Sequence, residues 1–166
     1  VSTILRYLEF LSLGTWVGSI VFLSFVVVPG AFALLSRDQA GALVGLALGR
    51  LHILGLICGV VYLVARVTAA RTLTALAGMA AVAVILMLVL TLVSQYGVSP
   101  KLADLRTEMK SQFGSVEATP QDNPLRASFG RLHGVSTVLE LVILLLGLGA
   151  LFLTVHMPSP EALRPR

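Results

Sequence analysis

The sequence predicts an all-α membrane protein: a four-transmembrane-helix bundle built from two parallel-related helical hairpins, with an amphipathic interfacial helix before the last span. Three observations carry this reading. Hydrophobic residues make up 57% of the chain and charged residues only 12%, about half the charged share of a soluble domain. The apolar residues fall into four long runs, several of which exceed the roughly 20 residues that cross hydrocarbon. The tetrapeptide Gly-Arg-Leu-His occurs twice, at 49–52 and 130–133, each time where such a run opens.

The first span, about 8–35, holds no charge between Glu9 and Arg37 and carries Pro29 near its far end, where a kink is tolerated if neighbours satisfy the freed carbonyl. After the polar break SRDQ, the stretch AGALVGLALG reads as an interfacial or re-entrant lead into the second span, about 50–70. A basic turn between Arg66 and Arg71 leads to the third span, about 72–98, with Tyr96 and Pro100 at its end. Residues 100–113 read as an amphipathic helix lying on the membrane surface or on a partner, because Leu102, Leu105, Met109 and Phe113 share one stripe and charges take the rest. Gly114 stops it, Pro120 and Pro124 punctuate a polar loop, and the fourth span runs about 128–156. Apolar runs recurring to the end of the chain argue against a cleaved signal peptide followed by a secreted domain. The whole chain, 1–166, reads as a single integral membrane domain.

Four spans put both termini on one side of the bilayer. Each odd span ends near a proline, a linker follows, and Gly-Arg-Leu-His opens the next span, so the halves read as a duplication about a pseudo-two-fold axis along the membrane normal. Basic residues do not fix sidedness. Arg6, Arg66, Arg71, Arg164 and Arg166 fall on the termini side, and Arg37, Arg50, Lys101, Arg106, Lys110, Arg126 and Arg131 on the other. The net charge of +4, without basic clusters or interleaved aromatics, reads as membrane-flanking arginine and excludes nucleic acid as a partner. The single cysteine, Cys58, excludes an intrachain disulfide.

The stretches GTWVGSIVFLSFVVVPGAF, AGALVG, YGVSP and FGRLHGVS, in this order and spacing, resemble a bacterial family of unknown function that includes human transmembrane protein 205. More remotely, the chain is similar to copper-resistance D-like membrane proteins. The resemblance covers nearly the whole chain and implies a four-helix bundle in the bacterial cytoplasmic (inner) membrane, with no established catalytic residues. Trp16, Gly18, Phe25, Pro29, Tyr96, Pro100, His133 and Ser136 match its pattern, whereas Glu140 stands where a neutral polar residue is expected.

His52 and His133 occupy equivalent places in the two halves. If both face the pseudo-axis they meet, and paired imidazoles are one way to hold haem iron or another metal, with Arg50 and Arg131 near its anionic groups. The plainer alternative has the arginines snorkelling to phosphates and each histidine bonding a backbone carbonyl. Glu140 is the acid deep inside a span, and Ser136 and Thr137 continue the His133 face toward it. In hydrocarbon a carboxyl group is either protonated or paired, and Arg50, His52 and Gln95 are the candidate partners. Glu140, Ser136, Thr137 and Gln95 therefore form a candidate intramembrane polar cluster, either a proton relay or a clamp between spans. Cys58, Met79 and Met87 lack the clustering of a Cu(I) site. The Gly14/Gly18 and Gly55/Gly59 spacings suggest that spans one and two pack tightly.

No Ser-His-Asp order, phosphate loop or paired catalytic carboxylates occur, so the chain reads as a membrane protein without its own catalysis. The favoured class is an accessory or structural subunit of a larger, energy-transducing membrane assembly, with lipids and other membrane subunits as partners and no cofactor. Two further classes fit the composition: a small transport or export protein for a metal or small solute, and a haem-binding redox membrane protein.

Overall fold

The computed structural model describes residues 2–156. Arg164 and Arg166, counted above on the termini side, lie outside the described residues. Among the described residues four helices are long and apolar enough to cross a membrane: α1 (Thr3–Leu34), α2 (Arg37–Ala70), α3 (Met79–Phe113) and α4 (Pro124–His156). Each packs chiefly against two neighbours, in the ring α1, α2, α3, α4 and back to α1.

Several boundaries differ from the sequence reading, each for a local reason. Helix α2 starts at Arg37, not near residue 50, because Ser36 and Gln39 form a reciprocal capping box in which the Ser36 hydroxyl accepts from the Gln39 amide at 3.4 Å. The segment expected as a re-entrant turn is therefore two to three turns of ordinary helix. Span three begins at Met79 rather than 72, since Thr72 caps a short 3-10 turn over Leu73–Ala77. The fourth helix begins at Pro124, where proline suits the first helical turn. The amphipathic stretch 100–113 is helical but prolongs α3 without a break. Its apolar stripe packs on the start of α4, with Met109 fully buried.

Helices α1 and α3 share a device. Each contains a π-helical turn, Leu23–Val27 in α1 and Val93–Val98 in α3, followed two residues later by Pro29 or Pro100. A proline ring collides with the carbonyl four residues before it, here that of Phe25 or Tyr96, and each of those lies inside the widened turn. The π turn moves that carbonyl, so the helix runs on past its proline. Together with the repeated Gly-Arg-Leu-His, this gives the two hairpins a common plan.

The ends of the bundle are fixed by polar contacts. The Val116 amide donates to Asp38 Oδ1 at 3.3 Å, and Arg37 lies 3.4 Å from Glu117, so the α1–α2 and α3–α4 connections share one end. At the other end, Glu9 of α1 and Arg66 of α2 are 3.6 Å apart and buried. Between these ends lies an apolar core with Leu13, Val17, Ile20, Val84, Met87 and Ile143. The outer surface carries Phe22, Val26, Ile57, Val60, Val89, Leu141 and Leu145 exposed, the surface of a protein solvated by lipid.

Candidate functional site

Three helices converge on one histidine. His52 of α2 is 1% exposed. Its Nδ1 donates to Gln95 Oε1 of α3 at 2.8 Å, and its Nε2 lies 2.6 Å from Glu140 Oε1 of α4. At 1.5 Å per residue, the three side chains arise about 24–27 Å along their helices from the termini-side ends at Ala70, Met79 and His156. They therefore share one level of the bundle, although 43 and 88 residues separate them in sequence. Gln95 sits in the π turn of α3, which turns its amide toward the axis.

Of the three partners expected for Glu140, His52 and Gln95 are brought into one chain of hydrogen bonds, and Arg50 is not. Arg50 is exposed on the outer face of α2. Ser136 is buried one turn from Glu140, whereas Thr137 is exposed and donates to the His133 carbonyl at 3.0 Å. The expectation that His52 and His133 meet is not met. His133 is exposed and stacks on Phe129 of its own helix with ring centroids 6.2 Å apart, and Arg131 is exposed beside it. Seven residues before Glu140, it lies about 10 Å nearer the loop end, where a side chain built on Gly130 or Gly134 would touch nothing within 4 Å. With both nitrogens of His52 engaged and His133 on the surface, the paired-imidazole geometry for haem or a metal is absent from the described residues. Nor do any three His, Cys, Asp or Glu side chains among the described residues converge as a metal site.

Sequence reasoning missed the second buried ionic contact, Glu9 with Arg66, which lies about 6–9 Å from the termini-side ends of α1 and α2. Near it the Tyr62 hydroxyl donates to Thr154 Oγ1 at 2.9 Å, and Thr154 donates on to the Ala150 carbonyl. The described bundle thus has two polar layers separated by apolar packing. Arg106 was also missed. It lies over the Phe129 ring at 5.7 Å and against Gly41, whose lack of a side chain leaves room for the guanidinium. Five side chains, Trp16, Arg66, Thr91, Ser94 and Arg106, carry a buried polar atom with no hydrogen-bond partner in the described structure.

A groove of about 630 Å³ runs along the outer face between α1 and α2. Gly14 and Gly18 floor it, Thr15 and Ser19 add hydroxyls, Leu43 lies toward its loop-side end, Leu46 lines its wall and Arg50 stands farther from the loop on the same wall. The two glycine pairs behave differently. A Cβ on Gly55 or Gly59 would collide with the Trp16 indole, and on Gly59 also with Leu88, while Gly14 and Gly18 meet nothing within 4 Å. The pair on α2 therefore serves packing inside the bundle, as expected, and the pair on α1 faces outward.

The sequence pattern of the family described as domain of unknown function DUF4149 matches residues 11–111, more than half of the chain, and the chain belongs to that family. No curated protein and no solved structure matches it, so neither comparison supplies a relative for the narrower resemblance to transmembrane protein 205 or to copper-resistance D-like proteins. The match takes in His52 and Gln95 and ends before Glu140.

Proposed function

We propose that this DUF4149-family membrane protein is a non-catalytic subunit of a larger membrane assembly, and that it receives a transmembrane helix of another polypeptide in the α1–α2 groove. One observation carries the reading: the small-residue stripe of α1 is turned away from its own bundle, whereas the equivalent spacing on α2 is filled by Trp16 and Leu88. Within lipid, helices associate through close backbone approach and interhelical hydrogen bonds rather than through hydrophobicity. Gly14 and Gly18 offer the approach, Thr15 and Ser19 the hydrogen bonds. Arg50, in no ion pair among the described residues, supplies a cation for an acidic side chain on the incoming helix. His52, Gln95 and Glu140 are spent on one another at the bundle centre, which favours a structural over a catalytic role. A transport role requires a continuous polar path between the two layers, and the packing between them is mainly apolar, with Ser12 and Thr91 the buried hydroxyls there.

A photoreactive amino acid placed at Gly18 and irradiated in native membranes tests the proposal. The expected product is one discrete adduct with a different membrane polypeptide, its yield abolished by Gly14→Leu. Adducts with lipid alone, or with a second copy of the chain, overturn it.

A further inference from the structure

We propose that His52 and Glu140 form a one-proton binding site of the membrane domain, and that Gln95 reports its occupancy by turning its amide. Glu140 Oε1 and His52 Nε2 are 2.6 Å apart, a distance that requires a proton between them, because two lone pairs cannot face one another that closely. The Nδ1 hydrogen is committed to the carbonyl oxygen of Gln95, 2.8 Å away. The ring thus carries one proton on Nδ1, and a second is shared between Nε2 and the carboxyl group. Whether that second proton rests on oxygen, as a carboxylic acid beside a neutral imidazole, or on nitrogen, as a carboxylate beside an imidazolium, the pair has no net charge. That neutrality is what a group buried between spans requires.

Loss of the shared proton leaves one proton on the ring and a carboxylate beside it. The remaining proton then belongs on Nε2, where it bonds to the carboxylate, and Nδ1 becomes an acceptor. Gln95 must present its NH2 group where it had presented its oxygen. Proton release is in this way tied to a half-turn of one amide, mounted on the π-helical turn Val93–Val98, a backbone element that recurs where helices do functional work. The fully buried hydroxyl of Ser94 beside Gln95, and that of Thr91 one turn away on the same helix, have no partner in the described structure.

The other ionisable groups facing this level are few. On α2, Arg50 points into the outer groove. On α3, Tyr96 is exposed on the lipid side and Lys101 lies toward the loop end. On α4, Arg131 and His133 are exposed two or more turns toward the loops, and on α1 the nearest ionisable group in sequence, Glu9, is held by Arg66 at the opposite end. Glu140 is thus the one ionisable side chain bonded to His52 among the described residues. It retains 17% side-chain exposure.

The test is 15N NMR of the histidine-labelled full chain in lipid nanodiscs, titrated with pH, with Glu140→Gln and Gln95→Met as variants. In the wild type, His52 is expected to hold its Nδ1 proton at neutral pH and to change to the Nε2–H tautomer as the site empties. Glu140→Gln is expected to abolish that change and fix the Nδ1–H form, and Gln95→Met to release the tautomer preference. A wild-type His52 that is Nε2–H with bare Nδ1 at every pH overturns the proposal, as does a Glu140→Gln protein whose His52 titrates like the wild type. Should either variant fail to fold, the wild-type tautomer series decides the question alone.

Discussion

The indole nitrogen of Trp16 occupies the space that a side chain on Gly55 would need. Trp16 is 1% exposed, so it cannot retreat, and the contact fixes how closely α1 approaches α2. Gly55→Val is expected to destabilise the bundle by about 1–3 kcal/mol through overpacking. Gly18→Ala, which meets open space, should stay within about 0.5 kcal/mol. Unfolding midpoints in detergent measure both.

Glu9 and Arg66 tie the other ends of the same two helices. Removing one charge strands the other in a buried site, and Glu9→Gln is expected to cost about 3–5 kcal/mol. Exchanging both, Glu9→Leu with Arg66→Met, should cost clearly less than the sum of the single changes. A double-mutant cycle reads this coupling; additive effects would show that the pair contributes no mutual interaction.

Tyr62 reaches across the bundle from α2 to Thr154 on α4, 92 residues later. Tyr62→Phe removes one interhelical hydrogen bond and keeps the ring. The expected loss is about 0.6–1.7 kcal/mol, the range for such bonds in membranes, read as a shift in the same unfolding midpoint.

The repeated tetrapeptide led to two different environments. His133→Ala is expected to change stability by no more than about 0.5 kcal/mol, since the side chain is exposed. His52→Leu leaves Glu140 and Gln95 without their common partner and should cost about 1–3 kcal/mol for the unsatisfied groups. Equal effects at the two positions would contradict the placement described above.

Much of this architecture was legible in the chain. Spans are written in uninterrupted apolar stretches, and the cost of a carboxyl group in lipid singled out Glu140 and narrowed its partners to three residues, of which it meets His52 directly and Gln95 only through His52. What stayed hidden depends on which faces turn together. Sequence identity made His52 and His133 look equivalent, yet the environment of a side chain is set by the helices around it, and only His52 has α3 and α4 over it. Glu9 and Arg66 looked like boundary charges because each lies near the end of its own apolar stretch. The π turns left a trace in Pro29 and Pro100, but a proline alone does not distinguish a kink, a helix end and a widened turn. The outward face of Gly14 and Gly18 was invisible for the same reason: spacing gives the stripe and not its direction.

The central claim is that both hairpins insert in the same sense, which brings α2, α3 and α4 together at His52. Single cysteines at Gln39, Thr74 and Glu117 in a Cys58→Ala background, probed with a membrane-impermeant maleimide on sealed vesicles of one orientation, test it most directly. Gln39 and Glu117 are expected to be modified from one side and Thr74 only from the other. Modification of Gln39 and Glu117 from opposite sides would contradict the account.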